Sequence, residues 1–155
     1  MNAVEDVAGL LEYASTRLQD RMAGLTDAEW AWQPVAGDAL VTICWRLDHI
    51  AEALGEGRNW EWLGADPSDA PTLAPAASAD AAVATVADAT ARFAALARGL
   101  GADSAEPLGA VAGPYGEDSR LSFVLHVVDE VVHHAAEAAL IRDLYAADPR
   151  NGFDA

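Results

Sequence analysis

A chain of 155 residues can bury one sizeable core without disulfides or a structural metal, so a single domain over residues 1–155 is expected. Its 25 acidic and 9 basic side chains give a formal charge of -16, which argues against a nucleic-acid-binding surface and reads as a solvated exterior. One cysteine, Cys44, excludes an internal disulfide, the Met1-Asn2-Ala3-Val4-Glu5-Asp6 start lacks a basic–apolar leader, and acidic residues interrupt the long apolar runs, so a cytoplasmic protein without membrane spans is expected.

Val4, Leu10, Leu11, Ala14, Leu18 and Met22 recur at helical spacing and predict a first helix from Val4 to Ala23, closed by Gly24. Thr26-Asp27-Ala28-Glu29 reads as a capped turn, with Glu29 three residues after Thr26. Trp30, Trp32 and Pro34 follow in a short connection, where the two indoles either seal one end of the core or wall a substrate pocket. A second helix is predicted from Ala39 to Trp60, with Ile43, Leu47, Ile50, Ala51 and Leu54 inward. His49 borders that stripe, and on its own reads as a hydrogen-bonded boundary residue. The segment ends at Gly64.

Residues Ala65 to Ala77 carry Pro67, Pro71 and Pro75 and show no period. The stretch is longer than adjacent antiparallel helices need; as a crossover it would leave the second and third helices parallel. The third helix starts near Ser78 or Asp80, packs through Val83, Val86, Ala87, Phe93, Ala94, Leu96 and Leu100, and stops at Gly101. Between Ala102 and Asp118, the Gly113-Pro114-Tyr115-Gly116 run lacks the lysine and hydroxyl residues of a phosphate loop. Asp118 or Ser119 can cap a fourth helix over Ser122–Tyr145, whose Phe123, Val127, Val131, Ala138, Ile141 and Tyr145 form one stripe. Asp148-Pro149-Arg150-Asn151-Gly152 is a stop and a short tail. The expected fold is therefore all-α: a four-helix bundle with a long crossover between helices 2 and 3, running up-down-down-up.

The chemistry concentrates on the fourth helix, which holds His126, Asp129, Glu130, His133 and His134. Glu130 and His134 are four apart beside the apolar stripe, and a carboxylate aimed inward must be paired, protonated or metal-bound. His49 offers a third ligand across the bundle; two imidazoles and a carboxylate suit Zn, Ni or Fe(II) and leave open positions. A plain Glu–His hydrogen bond within the helix accounts for the same spacing. Asp129-x-x-x-His133 repeats that spacing one residue earlier, but His134 sits nearer the middle of the stripe.

Leu25-Thr26-Asp27-Ala28-Glu29-Trp30 with Pro34, Ile43-Cys44-Trp45-Arg46-Leu47-Asp48-His49-Ile50-Ala51, and Leu125 to Glu137 followed by Leu140-Ile141-Arg142-Asp143-Leu144-Tyr145 together resemble the DinB-like (DinB/YfiT) superfamily of metal-binding four-helix bundles. That resemblance implies parallel second and third helices and metal ligands at His49, Glu130 and His134. It implies supporting roles for His126 and Glu137 around a ligand or a bound water, with either available as a fourth ligand. The family often has Gly two places after the ligand histidine, where this chain has Ala135 or Ala136. Relatives include thiol transferases acting with bacillithiol or mycothiol and a mycothiol-dependent maleylpyruvate isomerase, so a small-molecule substrate and a low-molecular-weight thiol cosubstrate are implied. Arg46 and Arg142 are the candidate clamps for an anionic cofactor, and Cys44 reads as packing rather than a nucleophile. Relatives often dimerise, and Trp60, Trp62 and the loops offer apolar contacts for a homodimer. The competing reading is a non-catalytic, stress-associated or interaction module whose histidines are structural.

Overall fold

The computed structural model describes residues 3–151; Met1, Asn2 and the tail residue Gly152 lie outside them. Four bodies carry the bundle: α1 (Ala3–Arg21), α3 (Ile43–Gly55) continued by α4 (Gly57–Trp62), α5 (Ala79–Gly99) and α6 (Arg120–Ala147). The short α2 (Asp27–Ala31) follows α1 and starts at the expected capping box. The Thr26 hydroxyl accepts from the Glu29 N–H, and the Glu29 carboxylate accepts from the Thr26 N–H.

Ion pairs and the path of the crossover fix the helix directions. Arg98, near the end of α5, holds Glu5 near the start of α1 and Glu12 at its middle, so these helices are antiparallel. Arg142, near the end of α6, reaches Glu29 and the Ala23 carbonyl just beyond the end of α1, so α6 runs with α1. The crossover returns along α3: Pro71 and Leu73 lie over Gly55, the Ala76 N–H donates to Asp48, and the Ala79 N–H donates to Asp27 at 2.8 Å. Thus α5 starts at the same end as α3, and the order is up-down-down-up. Both α1 and α3 pack on α5 and α6, which leaves α1 and α3 on one diagonal and α5 and α6 on the other. Leu11, Ile43, Leu47, Phe93, Val124 and Val131 fill the middle.

The predicted second helix, Ala39 to Trp60, is two helices. Thr42 sets the start, since its side chain accepts from the Trp45 N–H and its own backbone is extended. At Glu56 the backbone turns to φ -60° and ψ 136°, ending α3 and starting α4. Gly55 lets the crossover lie close against the end of α3, because a Cβ there would stand 2.8 Å from Leu73 Cδ1. Asn59 secures the break: fully buried, its Nδ2 donates to the Ala53 and Leu54 carbonyls at 2.8 and 3.1 Å. These carbonyls have lost their helical donors and would otherwise be stranded. Asn59→Leu is expected to lower stability by about 1–3 kcal/mol, read as a shifted urea midpoint with unchanged m-value.

The fourth predicted helix is one unbroken element of 28 residues, α6, capped by the Ser119 side chain and continuous through the histidines. Of the two readings of the early tryptophans, core sealing holds: Trp30 and Trp32 pack on the core, with Trp32 edge-on to Tyr145 at 5.5 Å. Trp60 is buried and unavailable to an interface, while Trp62 packs on Phe123. Among the described residues, no helix is long and apolar enough to cross a membrane.

Candidate metal centre

α3 and α6 run antiparallel in contact, and this brings His49 opposite Glu130 and His134. One ligand atom from each of the three lies within 4.8 Å of the others. His134 Nε2 is 3.4 Å, and His49 Nε2 3.7 Å, from Glu130 Oε2. Donors about 2.1 Å from a tetrahedral cation stand roughly 3.4 Å apart, so this donor set fits a divalent transition ion. The three side chains are 12 to 36% exposed, placing the cluster at the edge of the core.

One side of the cluster is open. His49 and Glu130 border a hollow of about 290 Å³ that continues past Arg58, Phe123 and His126. A second hollow of about 350 Å³ shares those three residues and extends to Trp62 and Tyr115. His126 is therefore an exposed wall residue one turn before Glu130, without a hydrogen bond or ion pair to the cluster among the described residues.

The opposite side is held by a polar network. Glu137 Oε2 is 2.7 Å from His134 Nδ1 and 2.6 Å from Arg46 Nε. With its proton on Nδ1, His134 donates to Glu137 and turns the Nε2 lone pair toward Glu130 and His49, the arrangement that orients a ligating histidine. Burial opposes ionisation of Glu137, but the His134 hydrogen bond and the Arg46 and histidine charges outweigh it and hold its carboxyl below the ordinary glutamate range. Trp45 packs on both imidazoles: stacked on His49 with ring centres 4.7 Å apart, and edge-on to His134 at 5.7 Å.

His133 and Asp129, the alternative pair, diverge from this cluster. His133 is 61% exposed with Nε2 3.3 Å from Glu137, and Asp129 is exposed. Both arginines proposed as anion clamps are engaged elsewhere: Arg46 with Glu137 and the Leu40 carbonyl, Arg142 with Glu29 and the ends of α1. Arg58, which sequence reasoning missed, is instead the arginine lining both hollows. Trp45 was also missed, although its position four residues before His49 gives the one-turn spacing at which helical rings meet. The Cys44 thiol is half-buried with Sγ 4.0 Å from Asp48; burial and that carboxylate push its pKa up, keeping it protonated and unreactive.

A family model described as the DinB superfamily matches residues 10–138, from within α1 through the crossover to His134 and beyond in α6. No curated protein and no solved structure matches at a significant level.

Proposed function

Because this chain belongs to the DinB superfamily, we propose that it binds one divalent transition metal, Zn, Ni or Fe, through His49, Glu130 and His134, and uses it in thiol transfer to small electrophiles. The observation that carries the metal reading is the three-donor cluster with one open side and an oriented histidine on the other. A bound ion would stabilise a thiolate approaching that side at neutral pH.

The chain's own residues supply orientation and exclusion of water. Glu137 fixes His134, Trp45 fixes the His49 ring, and the aromatic wall of Trp62 and Phe123 holds the electrophile beside the open position. The thiol would give its proton to His126 or solvent, and its sulfur would attack the electrophilic carbon, either displacing a leaving group that departs with the bonding pair or opening an activated double bond whose far carbon then takes up a proton. Bacillithiol or mycothiol is the proposed thiol, by analogy with thiol transferases of the superfamily. In the same reading the protein is cytoplasmic and homodimeric. Support for the dimer comes from Leu10, Tyr13, Val132 and Leu140, exposed along a hollow of about 550 Å³ between α1 and α6.

A thiol-consumption screen tests the catalytic claim, using metal-loaded protein, chelator-treated protein and His134→Ala against a panel of electrophiles. Turnover is expected with loaded wild type alone. Tight metal binding with neither thiol binding nor turnover would instead support a non-catalytic module.

A further inference from the structure

Two candidate cation sites overlap at His134. The first joins His49, Glu130 and His134; the second joins His133, His134 and Glu137, also with ligand atoms within 4.8 Å of one another. The first uses His134 Nε2, which faces Glu130, and the second uses Nδ1, which faces Glu137. A neutral imidazole has one nitrogen lone pair to offer, so filling one site closes the other.

Arg46 distinguishes them. Its guanidinium lies against Glu137 Oε2, donates to the Leu40 carbonyl at 2.9 Å, and covers the Trp45 ring at 4.6 Å. The side chain is only 14% exposed, so its charge is held in place and weakly screened. A fixed positive charge on the carboxylate of the second site opposes a dication there. The same contact holds the Glu137 carboxylate in place as acceptor for His134 Nδ1–H, leaving Nε2 free toward the first site. Among the described residues no arginine pairs with Glu130.

We infer that Arg46 is a positioning residue that selects between the two sites, directing the metal to His49, Glu130 and His134 by blocking its capture by His133, His134 and Glu137. The inference rests on the metal-binding reading above. It is separable from that reading, because it concerns which nitrogen of His134 is used.

The experiment is zinc titration of wild type, Arg46→Gln and Arg46→Lys, each with and without His133→Ala. Affinity is read by chelator competition, the ligating nitrogen of His134 by imidazole ¹⁵N shifts, and folding by circular dichroism. In wild type and Arg46→Lys, His133→Ala should leave affinity unchanged and zinc should sit on Nε2. In Arg46→Gln, first-site affinity should fall roughly 10–100-fold, as on losing an outer partner of a ligand. His133→Ala should then weaken binding further, and the ¹⁵N signature should move to Nδ1. Tight wild-type binding with zinc still on Nε2 in folded Arg46→Gln, and no effect of His133→Ala there, overturns the selection while sparing the metal reading. A wild type that binds no zinc overturns both. If Arg46→Gln fails to fold, Arg46→Lys decides: dependence on His133 in that charge-preserving variant overturns the inference.

Discussion

His134→Ala should reduce affinity for a divalent transition metal by more than the roughly 10–100-fold that follows loss of an outer partner of a ligand, because it removes a donor itself. His133→Ala should leave affinity unchanged. The contrast follows from the geometry: His134 Nε2 is 3.4 Å from Glu130 Oε2, whereas His133 projects outward toward Glu137. Competition against a chromogenic chelator at pH 7 measures both variants. Thermal denaturation gives a second reading, since free metal at 1,000 times Kd stabilises a folded site by about 4 kcal/mol. That metal-dependent gain should vanish in His134→Ala and persist in His133→Ala. Equal affinities for wild type and His134→Ala would remove His134 from the ligand set.

Arg142→Met should be the most destabilising single change at the far end of α6, at about 3 kcal/mol. Arg142 donates to Glu29 at 3.0 Å, to the Arg21 carbonyl and to the Ala23 carbonyl, tying α6 to the end of α1 and to α2. Both ionic side chains are largely buried, at 20 and 14% exposure, so methionine would leave the Glu29 charge without its partner. Burial raises the Glu29 pKa, but the Thr26 N–H, the Arg142 guanidinium and the Thr26 hydroxyl together hold it below the ordinary glutamate range. A depressed folded-state value adds stability that is complete above the unfolded carboxyl pKa and lost as pH falls through the folded one. The gap between wild type and Arg142→Met in urea should therefore be full near neutrality and shrink on the acid side. A gap independent of pH would show that the carbonyl contacts, not the ion pair, hold this end.

The parts of the molecule legible in the sequence are those set by local rules. α6 was readable because its inward positions keep helical spacing and nothing in it breaks a helix; the Thr26/Glu29 box was readable because both partners lie within one turn. The direction of α5 followed from the length of the proline-bearing crossover. The break at Glu56 was not readable. Ala53, Leu54 and Glu56 favour continuation, and what overrides them is Asn59 folding back on two carbonyls while Pro71 and Leu73 press on Gly55. At the candidate site, the Glu130/His134 spacing is local, while His49 joins it first as a donor on another helix of the bundle and then through resemblance. The roles of Arg46 and Arg142 depend on partners about ninety to more than a hundred residues away, across helices whose rotation about their axes no local pattern states. For that reason two arginines that looked free to clamp an anion are internal struts.

The diagonal arrangement of the bundle shapes how a nascent chain can acquire structure. Of the long helices that follow one another in sequence, only α3 and α5 pack side by side; α1 stands across the diagonal from α3, and α5 across from α6. The amino-terminal half therefore cannot close into a hairpin of its own. During synthesis α1 waits for α5 before it finds a first neighbour, and for α6 before it finds the second. Contacts such as Arg21 to Asp143, 122 residues apart, close last and enclose nearly the whole chain. A polypeptide cut within the crossover should yield two halves that each expose apolar faces, with neither folding as an independent unit.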